Sequence, residues 1–546
     1  MKFYFHKYIC FSVAVFCFTA CTSKKENIAF DPNNGGLFLP DGFGAVVVVD
    51  SIGPSRHLAV KDNGDIYVKL KITSDAPGSV ALRDEDGDGK ADIIKSFGNY
   101  VNDGIFATGM RIHNGYLYYS TEKVVYRQKL DKYLVPTSKQ EIVLMDESDQ
   151  WHIAKPITFD KEGNMYVPYS APSNACASYI NASGTSIQQA GQYPCPELIN
   201  HTGIWKFKPN ALNQTQKDGV QIGTGLRSIV AMDWNTNNNK LFAVQHGRDD
   251  LHLLWPQYYS AWENAVTPAE EFFEINAGGN YGWPYSYFDP LSKQKMQAPE
   301  YGGDGKQLAT DKSYTNPLAA FPAHWAPNDL LFYKGDQFPG RYKNGAFIAF
   351  HGSTNRGPYP QAGYIIAFIP FNNGKPSGEW EVFADGFAGV DTIVNVSDAK
   401  YRPMGLAEGP DGSLYINDSR KGKIWRILYK GDKAIFNNNA LARMEQRKNT
   451  ATNIKTPDPI KDIIQIRYSK IGESIYQTNC ANCHQANLNG DGNRYPSLVK
   501  SNYLNDKSSF RNLIANGKGN MPAFKNISDK EIFELETYIQ SVLAKK

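Results

Sequence analysis

At 546 residues the chain is too long for one compact core and divides into roughly two to four units by the usual size of domains. Its 41% hydrophobic and 21% charged residues are ordinary globular composition, while 13% aromatic residues with 47 Gly and 30 Pro lean towards a turn-rich β protein. A formal charge of +3 argues against a nucleic-acid partner.

The opening MKFYFHKYICFSVAVFCFTAC sets Lys2 and Lys7 before an apolar run from Tyr8 to Phe18, then small residues before Cys21. That run is too short to span a bilayer and reads as a signal peptide over 1–20. The ending FTAC, followed by TSKKEN, resembles a bacterial lipoprotein box, with Cys21 as the lipid-bearing end of a tether over 21–35. A plain secretory signal is the alternative. Either way the mature protein is expected outside the cytoplasm, and the first reading anchors it to a membrane of the cell envelope. No later segment is apolar enough for a transmembrane helix. Seven cysteines occur; Cys10 and Cys17 go with the signal, Cys480 and Cys483 with a C-terminal motif. Cys176 and Cys195 remain, and an oxidising compartment allows them to pair.

Next comes one theme repeated, an Arg or His ahead of an apolar stretch, a tight turn and a short strand. It reads RHLAVKDNGDIYVKL from Arg56, MRIHNGYLYYS from Met110, HIAKPITFDKEGNMYVPYS from His152, RSIVAMDWNTNNNKLFAVQHG from Arg227 and RPMGLAEGPDGSLYINDS from Arg402. A weaker copy is KNGAFIAFHGS from Lys343. Turns on Asn-Gly, Asp-Gly, Glu-Gly or an Asn run between alternating apolar strands are hairpin signals. Six such units predict a mainly β fold, a six-bladed β-propeller over 36–432; a β-sandwich with long loops accommodates the repeated hairpins less well. DEDGDGKAD from Asp84 alternates acids like a calcium loop, but Lys95 stands where an EF-hand needs its closing Glu, and a solvated acidic turn is the equal alternative.

After KIWRILYKGD the pattern stops, and 433–464 reads as a polar linker, partly helical around Ala440 to Arg447. A small all-α domain is expected over 465–546, its last helix marked by Ile532, Leu535, Ile539 and Val542. In CANCH, Cys480 and Cys483 are placed to bond the two vinyl groups of haem c, and His484 to bring an imidazole to the iron. Met521, in GKGNMPAF, is the expected sixth ligand, and a thioether opposite His favours electron transfer. These last eighty or so residues resemble class I cytochromes c, which often carry a proline where Pro496 stands.

Between Leu37 and Leu428 the chain resembles the soluble quinoprotein glucose and sorbosone dehydrogenases. The likeness rests on RHLAV, the blade led by His152, GLRSIVAMDW, QHGRDD, GGNYGWP, HGSTNR and YRPMGLAEGPDGSLY, in that order. It implies a six-bladed propeller binding pyrroloquinoline quinone (PQQ) and calcium on one face. Three carboxylates on PQQ call for fixed cations, and a planar guanidinium pairs two oxygens at once. Arg56, Arg227 and Arg402 each open a repeat, with Lys155 and Arg356 as further candidates; the plainer reading is that such arginines tie blades together. His152 matches the family's base, suited to taking a hydroxyl proton near neutral pH. Backbone carbonyls of Gly247 and Arg248 match its calcium ligands, although Arg248 stands where the family usually has another residue. Ser228 replaces an amide of the glucose enzymes, which points away from glucose itself. The insert between Cys176 and Cys195 is expected to overhang the cofactor face.

The resemblance implies oxidation of a sugar, aldose or sugar-derived aldehyde or alcohol, with electrons passing to the fused haem and on to a respiratory acceptor. Two other readings stay open: a calcium-dependent propeller hydrolase of the lactonase kind, and a propeller that binds a glycan or protein and only presents the haem.

Overall fold

The computed structural model describes residues 1, 28–71, 77–98, 100, 106–146, 154–177, 190–357, 359–390, 393, 396–451, 472–492, 495–499, 501–505, 507–525, 527 and 529–543. The signal segment, Cys21 and His152 lie outside them.

Six sheets form the blades of a propeller, each beginning with its innermost strand: Ser55–Val60, Ala107–His113, Thr158–Phe159, Ile229–Asn235, Pro327–Phe332 and Pro403–Glu408. Blade six is finished by the start of the chain, because Phe43–Val49 pairs antiparallel with Ile424–Tyr429 as its outermost strand. The ring is thereby closed by non-local hydrogen bonds instead of leaving an open sheet edge. Between neighbouring blades lie separate apolar cores. Phe242, Phe272 and Phe332 with Phe350 fill the seam of blades four and five, while Tyr67, Met110 and Tyr119 fill that of blades one and two. Most inner strands therefore bury side chains on both faces, so their apolar runs are nearly continuous.

Five of the six repeats read from the sequence open a blade, but the copy from Lys343 does not. Blade five starts earlier, at Pro327–Phe332, and Ala346–Phe350 is its second strand. The long link 333–345, with a 3-10 turn at Gly340–Tyr342, replaces the tight turn that marks the other hairpins. The expected linker is helical where Ala440 to Arg447 reads as helix, and it is also packed on the propeller. Asn438–Thr450 is a helix docked on the propeller, with Ala440 and Met444 buried and Arg443 and Arg447 gripping Asp41. Lys448, enclosed at the seam, pairs with Asp385 at 3.2 Å and Glu445 at 2.9 Å. Cys176 and Cys195 are disulfide-bonded, as an oxidising compartment allows.

Towards the C-terminus, helices at 472–479, Ala481–His484, Lys507–Asn516 and Asp529–Leu543 surround their own core of Tyr476, Leu488, Phe510, Ile514 and Leu535. Gly472 makes the crossing of the first and last of these helices close. A Cβ there would lie 2.2 Å from the Glu534 carbonyl oxygen. Among the described residues no helix is long and apolar enough to cross a membrane.

Candidate functional site

In blades one, two, four, five and six the inner strand carries one residue more than its neighbour near its beginning, as between Ser55↔Leu70 and Leu58↔Val68, or Pro403↔Asp418 and Leu406↔Ile416. Such bulges twist a strand and re-aim its side chains. Here they bring Arg56, Asn328 and Met404 from three blades together. The Met404 thioether, fully buried, accepts from Arg56 Nη1 and from Asn328 Nδ2, both at 3.3 Å. Gly405 makes the approach feasible, since a Cβ would sit 2.8 Å from the Arg56 carbonyl oxygen.

Around this point positive charge accumulates without matching carboxylates. Burial and the guanidinium of Arg402 push Arg56 down to about 10, and its buried Nε has no hydrogen-bond partner. Lys71, just past the strand paired with Arg56's own, is lowered by burial and by both arginines. Arg402 gives its Nε proton to the His351 carbonyl at 2.9 Å and Nη2 protons to His351 Nδ1 at 2.7 Å and to the Gly352 carbonyl. The adjacent acid, Asp418, spends its oxygens on backbone N–H groups of Arg402, Arg420, Lys421 and Gly422. Arg356 is 1% exposed with no acid in its contacts; burial pushes it down to about 9, and Nη1 is unpartnered. Tyr364 couples electrostatically to Arg356, and the Arg402 guanidinium lies 5.8 Å from its ring. Unpaired buried charge is costly, so a cluster of this kind is built to receive an anion.

Two expected members of this cluster already have partners. Lys155 is fully buried and its ammonium lies 2.6 Å from Asp146, so its charge is already matched. Arg227 is paired with Asp249 at 2.9 Å and donates to the Gly247 carbonyl at 2.7 Å, keeping only its buried Nε unpartnered. The carbonyls expected to hold calcium lie in the same network. Gly247 offers a carbonyl already shared with a guanidinium, and Arg248 brings a second one, ion-paired with buried Glu300. Asp249 is committed to Arg227, His324 and Asn355. That set does not fit a dication. The acidic loop does group Asp84, Asp86 and Asp88 within 4.8 Å, but on an exposed turn.

Lys71, Met404 and His351 went unassigned at the level of sequence. A signal existed for Lys71: the hairpin from Arg56 has to return its second strand to the same end of the blade, and with Ser55 opposite Leu70 the next residue, Lys71, returns opposite Pro54, two positions from Arg56.

Two histidines lie under the cluster. His57 Nε2 bonds the Asn328 carbonyl at 2.7 Å and His246 Nε2 the Pro327 carbonyl at 2.8 Å. Burial, above all, pushes both down to about 4. Unfolded, each titrates near 6.5. As pH falls from about 6.5 to about 4, the unfolded chain takes up protons that the folded propeller refuses, so stability drops across that window. For fully buried His57 the expected loss is about 3 kcal/mol by pH 4, checked as urea midpoints along a pH series, with His57→Gln flattening the curve.

In the C-terminal unit Cys480 and Cys483 are free, and burial pushes Cys480 up to about 12. His484 Nδ1 lies 2.9 Å from the Pro496 carbonyl oxygen. A carbonyl only accepts, so Nδ1 carries the proton and the Nε2 lone pair is left for a metal. Met521 packs against the core that contains Cys480. The donor set fits a covalently held haem.

Comparison with known proteins agrees with both units. Residues 469–539 match the family of cytochrome c oxidase, cbb3-type, subunit III, and 73 residues are 32% identical to cytochrome c6 of Cyanidium caldarium, covering 13% of this chain and 67% of that one. The helical unit is a cytochrome c domain. An uncharacterized protein of Borreliella burgdorferi is 28% identical over 219 residues, 40% of this chain and half the length of that relative. Among solved structures, the calcium structure of a Trichoderma reesei protein of Carbohydrate-Active Enzymes Family AA12 superposes with a TM-score of 0.57 at 18% identity, over 72% of this chain and 97% of the other. The PQQ domain of pyranose dehydrogenase from Coprinopsis cinerea, in its holo form, gives 0.56 at 16% identity, over 72% and 97%. These two share the propeller fold. The TrAA12-like family model matches residues 37–430, well over half of the chain, and the protein therefore belongs to the TrAA12-like family.

Proposed function

We propose that the protein is a PQQ-dependent dehydrogenase of a sugar, aldose or sugar-derived aldehyde or alcohol, held at the cell envelope through lipid on Cys21. Its haem c delivers the electrons to a respiratory acceptor. The observation that carries this reading is the set of cations at Arg56, Lys71 and Arg402, which face one another without matching acids in a chain that also bears a cytochrome. PQQ, when bound, supplies a two-electron acceptor, and haem c a one-electron carrier. Arg56 and Arg402, with Lys71 and the open Nε of Arg227, would hold the carboxylates of the quinone. Arg356 would add to the field from behind Tyr364. His152 takes the substrate hydroxyl proton as the carbon is oxidised. Cys480 and Cys483 would bond the haem, His484 would present Nε2 to its iron from a ring oriented by Pro496, and Met521 would close the other side. A hydrolase of the lactonase kind would need inward carboxylates, whereas the site described here is cationic.

Anaerobic mixing of the haem-loaded protein with PQQ and a panel of sugars and aldehydes, followed at the reduced haem band, tests the reading. Reduction requiring PQQ and substrate together is expected, falling by about 10²-fold or more in His152→Ala. Failure of PQQ to bind at all would overturn it.

A further inference from the structure

We propose that His351 is a positioning residue that aims Arg402 at an anionic ligand while leaving its charge intact. The inference rests on the anion-binding reading of the cation cluster. A guanidinium has five N–H donors and no acceptor. Arg402 spends one at Nε on the His351 carbonyl and two at Nη2, on the Gly352 carbonyl and on His351 Nδ1. The two N–H groups of Nη1 are left for a ligand.

Because arginine cannot accept, His351 Nδ1 must be the bare nitrogen. The ring proton is therefore on Nε2, which donates to Ser419 Oγ at 2.6 Å. Arg402 thus fixes the tautomer, Ser419 Oγ accepts from the Nε2–H it leaves, and Nδ1 supplies the last acceptor that Arg402 needs. All three acceptors are neutral. A carboxylate at position 351 would hold the guanidinium as firmly but cancel the charge that the ligand requires. A protonated imidazole would turn an N–H towards Arg402 and push it away. The groups facing the ring are Arg402, Arg56 and His246, none of which would stabilise an imidazolium, and desolvation holds half-buried His351 well below the usual histidine range. Its contribution to ligand affinity is therefore unchanged as pH passes through the usual histidine range.

The experiment combines PQQ titration of the full-length protein with ¹⁵N NMR of labelled histidines, the His351 signals assigned from the variants. Wild type is expected to show an Nε2–H tautomer that does not titrate near 6.5. His351→Asn, whose side-chain oxygen can replace Nδ1 as acceptor, is expected to bind PQQ within about threefold of wild type; His351→Leu weakens binding by about tenfold or more. His351→Asp also weakens it, although it keeps an acceptor, a result that a merely structural role would not produce. Ser419→Ala removes the acceptor of Nε2–H but is expected to keep the Nε2–H tautomer, because Arg402 still donates to Nδ1. Equal binding by the Leu and wild-type proteins, or an Nδ1–H tautomer, would overturn the proposal. If wild type binds no PQQ, the cofactor reading falls, while the tautomer still decides the role of His351.

Discussion

Replacing Arg56 and Arg402 together with methionine is expected to weaken PQQ binding by at least about a hundredfold, since hydrogen bonds to charged groups contribute about 1.5–3 kcal/mol each. The same double variant should melt no earlier than wild type when both are free of ligand. Arg56 is desolvated and repelled by Arg402, and among the described residues the hydrogen bond of its guanidinium goes to the Met404 thioether. Removing a buried, unneutralised charge in favour of an apolar chain of similar length relieves that cost. Arg227→Met makes the contrast, because it strands Asp249, a half-buried carboxylate held down by Arg227 and His324 against the upward push of desolvation. That variant should lose about 3 kcal/mol or more of stability. Thermal unfolding beside PQQ titration separates the two outcomes. A lower melting point for the Arg56/Arg402 pair than for Arg227→Met would mean that the cluster serves the fold and not a ligand.

Removing the thiols by Cys480→Ala with Cys483→Ala is expected to abolish covalent haem and, with it, any substrate-driven haem band. Substrate oxidation coupled to a small soluble dye should persist within about twofold, because the cations assigned to the quinone all belong to the propeller. His484→Ala keeps both thioether positions and so separates attachment from ligation: haem stays bound covalently, but its absorption shifts to that of an iron lacking the imidazole. Loss of dye-coupled oxidation in the thiol variant would show that the cytochrome domain takes part in substrate chemistry, which the division of labour proposed here does not allow.

The haem motif was legible because its chemistry is local. Cys480, Cys483 and His484 lie within five residues, and one turn of helix carries them. The blades were legible for a similar reason, as hairpins are written in neighbouring residues. Blade five escaped where the link 333–345 separates its first two strands. The helix at Asn438–Thr450 was only half visible, since its polar surface hides a contact made by Met444, Lys448 and two arginines with a distant segment.

Residue order alone thus settled the propeller, the cytochrome and the arginines that open repeats, because each is encoded by short-range pattern. It left Arg56, Arg227 and Arg402 looking alike. Only the folded chain distinguishes them: Arg227 meets Asp249, 22 positions away, while Arg402 meets neutral acceptors of His351, 51 positions away. A cation's usefulness depends on whether its charge is already spent. That depends on desolvation and on partners supplied by neighbouring blades, and those come together only when the ring closes.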